Sequence, residues 1–209
     1  MSRRRRNSEL RRRKPQREPR HRILIVCEGK RTEPGYFDAL RVKFRAVVDL
    51  EVEPGGATPK KLVELALARK KEAKRAARSQ RDRFLRYDEV WCVFDTDEHP
   101  YLADARQQAL THGIDLAVSN PCFELWALLH FQEQSAYLGR QAARARLKSH
   151  LPHYQKALPF EKLDPRYTTA VIRARELDRR CEEAGCPGDN PSTGVYRLTE
   201  CIRAGGRTV

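Results

Sequence analysis

Three carboxylates carry the chemistry that this 209-residue sequence suggests: Glu28, Asp95 and Asp97. Asp95 and Asp97 stand two residues apart directly after the apolar run Val90–Phe94. In a strand, residues two apart share a face, with Cα atoms roughly 6.5–7 Å apart. Two acids at that separation suit one Mg²⁺ or Mn²⁺, or a pair of ions. Thr96 between them points away. Glu28 follows a second unbroken apolar run, Ile23–Cys27, and Glu33 comes five residues later. Several carboxylates on one edge repel one another unless a cation neutralises them. Bound to phosphodiesters, such a cation polarises the phosphate, activates water and stabilises the leaving oxygen. A carboxylate outside the coordination sphere can move protons. An acidic turn after a strand is the plainer reading of "DTD", and a solvated loop acid that of Glu28.

The elements needed to position these acids are legible in the flanking residues. "RILIVC" reads as a strand buried on both faces of a parallel sheet. Gly29 permits a tight exit, Thr32 is placed to cap a helix, and Pro34, Tyr36, Phe37 and Leu40 continue it. "AVVDLEVEP" alternates as a second strand, ending at Pro54-Gly55-Gly56. Thr58-Pro59 opens a long helix expected to run to Arg83. "EVWCVFD", the helical "ADARQQALTHG", the strand "IDLAVS" and the buried helix "NPCFELWALLHF" complete a β-α-β-α-β-α-β-α order. That order describes an α/β fold: an open, mainly parallel sheet with helices on both faces. Ligands bind such sheets at the C-terminal ends of the strands, where Glu28 and Asp95 fall. The expected organisation is a disordered basic arm over 1–21, an α/β core over 22–134 and a helical extension over 135–209 packed on that core.

Hydrophobic residues make up 40% and charged residues 33%, which suits a polar soluble chain. No apolar run approaches a membrane span, and the Arg-rich start carries no hydrophobic signal segment, so a cytoplasmic protein with no membrane partner is expected. Six cysteines without a C-x-x-C pair fit a reducing compartment and no zinc template. The net charge is +14, of which residues 1–22 hold +9 through ten Arg and one Lys against Glu9 and Glu18. Such an arm binds polyanions without sequence specificity through counterion release; a solubilising tail is the alternative. The helix after Thr58 adds Lys70, Lys71, Lys74 and Arg75, where like charges at helical spacing call for a phosphate partner or form a solvated face. Lys30 and Arg31 follow Gly29 and are candidates for phosphate contact. A Walker loop, a G-x-G-x-x-G and a G-x-S-x-G elbow are all missing, which weakens nucleotide-binding and serine-nucleophile readings.

Glu124 lies in a helix apolar nearly all round, where an unpaired charge is costly, so it either pairs with a base or faces the site. His130, on the same helix, reads as a core histidine, with Trp126 and Phe131 as core.

The segments "ILIVCEGKRTEPGYF", "VWCVFDTDEH", "LAVSNPCFELWALLHF" and "NPSTGVYRL" together resemble the RloB family, over about residues 22–205. The resemblance implies a Toprim-like domain encoded in bacterial defence loci, often beside an AAA-type ATPase. It implies that Glu28, Asp95 and Asp97 hold Mg²⁺ (or Mn²⁺) for phosphodiester cleavage, with Glu33 fitting the family's form of the first motif. The topoisomerase and primase relatives carry further domains and zinc motifs that this chain lacks. The reading is therefore a compact metal-dependent nuclease of DNA or RNA, acting in anti-phage, abortive-infection defence under a partner ATPase, with homo-oligomerisation open. The alternative is a catalytically silent Toprim-like module that binds nucleic acid or a partner.

Overall fold

Ile23, Leu24, Ile25, Val26 and Cys27 offer no polar side chain to solvent, and strand β1 (Arg22–Cys27) is fully buried over all five. Complete burial of each of the four aliphatic side chains contributes roughly 1.5–3 kcal/mol. These residues place β1 at the centre of the fold. A computed structural model of the chain describes residues 21–52, 58–96 and 102–205, without the side chains of 50–52. Residues 1–20 of the expected basic arm, the Pro54-Gly55-Gly56 turn and Asp97 lie outside the described residues.

After β1 come α1 (Thr32–Phe44), β2 (Val47–Val52), α2 (Pro59–Ser79), β3 (Glu89–Asp95), α3 (Leu102–His112), β4 (Asp115–Asn120) and α4 (Glu124–Leu129). The expected alternation is present throughout. The sheet order is β2-β1-β3-β4, all parallel, and β5 (Ser192–Thr193) adds an antiparallel edge beside β4. This is an open, mainly parallel α/β fold of the Toprim-like kind. Leu24 and Val26 face Leu62, Val63 and Ala66 of α2 and Ala105 and Ala109 of α3. Ile23, Ile25 and Cys27 face the other layer, built on α1 and α4.

That second layer includes α5 (Arg140–His150), α6 (Phe160–Leu163), α7 (Tyr167–Glu183) and α8 (Val195–Arg203). Leu147, Ala170, Ala174 and Leu198 from these helices share one apolar cluster with Ile25 and Trp126. The segment after residue 135 also contributes β5, so it is not helical alone. Its two residues pair with Asn120 and Ser119, and Ser119 Oγ lies 2.9 Å from Thr193 Oγ1.

Two local expectations are corrected. Thr32 does not cap α1: Arg31 is the N-cap and no side chain caps it. The Thr32 hydroxyl instead donates to the Lys156 carbonyl at 3.2 Å, because the C-terminal segment passes over this helix start. Helix α2 ends at Ser79 rather than Arg83. Arg81 adopts a left-handed φ of 53°, and Asp82 Oδ1 accepts from the Phe84 amide to start a 3₁₀ turn over Arg83–Leu85. Thr58 and Pro59 do open α2 as the sequence suggests, with the Thr58 hydroxyl accepting from the Lys61 amide.

Candidate active site

Parallel pairing of β1 with β3 sets Cys27 opposite Val93, so the residues that follow each strand emerge on one edge. The Glu28 amide still donates to the Val93 carbonyl at 3.0 Å, extending the ladder by one bond. The Glu28 carboxylate turns back along this edge, and its Oε2 accepts from the Asp95 amide at 3.3 Å. Asp95 is the last residue of β3 and has the parity of Trp91 and Val93, on the α4 side of the sheet. Its Oδ1 accepts from the Phe123 amide at 2.8 Å, and Arg140 Nη2 lies 3.4 Å from its Oδ2. Burial pushes the Asp95 carboxyl well above the usual carboxylate range, and the charge of Glu33 adds to this. Arg140 opposes the shift; Glu124 and Glu28 reinforce it.

Glu33 sits in the first turn of α1 and is only 7% exposed. Its carboxylate folds beneath Gly29, where an added Cβ would come within 1.9 Å of Oε2. The missing side chain at Gly29 thus leaves the space that the Glu33 carboxylate occupies. Burial raises the Glu33 carboxyl, with further upward pressure from Glu124 and Glu28; a backbone hydrogen bond and Lys156 act the other way.

Glu124 opens the short helix α4 and is 6% exposed. It both pairs with a base and belongs to the acidic edge. Arg144 Nε donates to Oε1 at 2.9 Å, and the Tyr154 hydroxyl donates to the same atom at 3.1 Å. Burial would raise this carboxyl, but the Cys122 thiol hydrogen bond and the Arg144 guanidinium outweigh it, and the group is held below its ordinary value. Arg140, Arg144 and Tyr154 escaped the sequence reading. The sequence placed them in a helical extension without showing what that extension would meet, and the four-residue spacing of Arg140, Arg144 and Lys148 was the visible signal.

The structure therefore brings Glu28, Glu33, Asp95 and Glu124 within mutual electrostatic reach; Asp97, immediately beyond, is outside the described residues. Lys30 and Arg31 are exposed in the loop beside this edge. The basic run of α2 is elsewhere. Lys70 Nζ donates to the His112 and Gly113 carbonyls, just before β4 begins, and so marks the N-terminal end of the sheet. Lys71, Lys74 and Arg75 extend exposed from the same turns, remote from the carboxylates. The direction of α2 is the cause: its start lies near the strand ends, and each turn carries it 5.4 Å further away. His130 is a core residue, with Nδ1 donating to the Trp126 carbonyl at 2.9 Å and its ring against the Trp126 indole.

Among the described residues, no three His, Cys, Asp or Glu side chains form a group that could hold a metal ion. The donor set is nevertheless one of hard carboxylate oxygens. It fits Mg²⁺ better than zinc, because Mg²⁺ keeps several waters and binds through one or two carboxylates plus substrate phosphates rather than a closed protein cage. Glu28 and Asp95 meet that requirement in chemistry, and burial, with like-charged neighbours, raises Asp95 and Glu33 together.

A family model described as RloB-like protein matches residues 23–202. No curated protein and no solved structure matches the chain.

Proposed function

Because the chain belongs to the RloB-like family, we propose that it is a metal-dependent nuclease that cleaves nucleic acid phosphodiesters in bacterial antiviral defence. The observation that carries this reading is the joint placement of Glu28, Glu33, Asp95 and Glu124 on one strand-end edge, where burial and like charge raise Asp95 and Glu33. Glu28 and Asp95, with Asp97, are the residues that would hold Mg²⁺ or Mn²⁺. The ion supplies a Lewis acid for the phosphate and an activated water. Phe123 and Arg140 fix the Asp95 carboxylate, and the Asp95 amide fixes that of Glu28. Glu33, outside these contacts and held upward, serves as the group that exchanges a proton at the reacting phosphate. Lys30 and Arg31 approach the substrate from solvent, and the basic arm adds affinity without sequence preference. Activity in the cytoplasm under a partner AAA-type ATPase completes the proposal and follows from the family resemblance.

A second reading is favoured by one observation: Arg140 and Arg144 already supply cations to Asp95 and Glu124. In that case the module binds nucleic acid or a partner and does not cleave. Calorimetry with Mn²⁺ on the full chain separates the two. The nuclease reading expects binding that weakens in Asp95→Asn; identical isotherms for the two proteins would refute it. Among the described residues, no helix is long and apolar enough to cross a membrane.

A further inference from the structure

Helix α5 presents Arg140, Arg144 and Lys148 four residues apart, hence on one face. Arg140 lies against Asp95 and Arg144 against Glu124, whereas Lys148 has no ion pair among the described residues. Past Leu151 the chain returns through Tyr154, Gln155 and Lys156. Lys156 is held in a left-handed conformation at φ 68°, unusual for a residue with a side chain, while its carbonyl accepts from Thr32. Glu124, Arg144, Lys148, Tyr154, Gln155 and Lys156 line an open cleft of about 360 Å³.

The donors this cleft offers are a guanidinium, two ammonium groups and an amide, against a single carboxylate that already takes the Tyr154 hydroxyl. Arg144 spends its Nε–H on Glu124, and the fork geometry of a guanidinium keeps further N–H groups for another acceptor. Glu124 is also a member of the acidic edge, so the cleft and the proposed metal site share a wall. Charge along α5 thus passes from ion pairs at the carboxylates to an unpaired cation at the cleft. We propose that this cleft binds a backbone phosphate of the nucleic acid, holding the strand so that a neighbouring phosphodiester reaches Glu28 and Asp95. The inference rests on the nuclease reading and names the substrate-positioning surface for it. It replaces Lys70, Lys71, Lys74 and Arg75 of α2 as the folded part's phosphate-binding surface.

Fluorescence anisotropy with labelled single-stranded DNA and RNA, in EDTA to block cleavage and over a salt series, tests the cleft on the full chain. Lys148 and Lys156 are exposed, so Lys148→Ala/Lys156→Ala leaves the core untouched. Its affinity should fall about tenfold, and the slope of log K against log salt should become shallower by about 0.7, the value for one single-strand phosphate contact. Lys71→Ala/Lys74→Ala, on the far edge, should retain wild-type affinity and slope. Unchanged binding by the cleft variant, or an equal loss in the α2 variant, would overturn the proposal. A protein that binds through the cleft but never cleaves would refute only the nuclease reading. An active nuclease whose cleft variant binds normally would refute only the cleft.

Discussion

The Asp95 amide donates to the Glu28 carboxylate across 3.3 Å, so the end of one buried strand orients the acid supplied by its neighbour. Glu28 is therefore aligned by backbone, which side-chain substitutions elsewhere leave in place. Asp95 is aligned in turn by the Phe123 amide. The two acids proposed to meet a metal are each positioned by a main-chain donor, one from β3 and one from the start of α4, and such fixed donors need little reorganisation when charge arrives.

Glu33 gives a pH-dependent prediction. Its folded-state carboxyl titrates above the ordinary value, so the stability it contributes is fully present below its unfolded pKa and is lost as pH rises through the folded one. Glu33→Gln removes that loss. In EDTA the variant should be more stable than wild type at pH 8, with the difference vanishing near pH 4. Thermal melts at the two pH values measure it, and a variant less stable at pH 8 would contradict the repulsion.

Gly29→Ala should fold, because the atom an added Cβ strikes is the end of the flexible Glu33 side chain. The carboxylate must swing out from beneath the loop. A near-wild-type melting temperature together with a shifted pH–rate profile is the expected result. A profile identical to wild type would show that Glu33 takes no part in proton transfer.

Removing the partners of Glu124 should expose the cost of a buried carboxylate. Arg144→Ala should destabilise the protein by about 1–3 kcal/mol, and Tyr154→Phe by about 0.5–1.5 kcal/mol. Urea titrations of both variants and of the double variant give the coupling. Arg144→Ala/Glu124→Gln should recover part of the loss, since the unpaired charge is gone.

His130 titrates at about 4, below its usual 6.5, first because it is buried and then because Arg203 and Arg166 stand near, against opposing backbone hydrogen bonds. A depressed histidine contributes stability that is whole above pH 6.5 and is lost as pH falls toward 4. The loss amounts to roughly 3 kcal/mol. Urea titrations from pH 7 to 4 should show a shallower acid decline for His130→Gln than for wild type. Equal declines would mean that His130 is not the group responsible.

The sheet was legible because its strands β1 and β3 are continuous apolar runs. Ile23–Cys27 and Val90–Phe94 allow no alternative face, and the acids that end them mark the edge proposed to meet a ligand. Glu124 was legible as a charge in an apolar helix. The partners of these acids were not. Arg140 and Arg144 look like any exposed helical bases until tertiary packing brings α5 against α4, more than ten residues away. Strand β5 is two residues long, too short for a period-two pattern to register. The cations of α2 show the same limit: spacing told which residues share a helical face, and only the direction of the helix told which end of the sheet they reach.

The most direct test of the proposed carboxylate edge is the Mg²⁺-dependent cleavage rate of Glu28→Gln, measured on DNA and RNA with and without the proposed partner ATPase. Glutamine keeps the shape and the acceptor for the Asp95 amide but removes the charge. The rate should fall by about a hundredfold or more, while the metal-free melting temperature stays at or above that of wild type. A destabilised Glu28→Gln protein that cleaves at the wild-type rate would contradict the account.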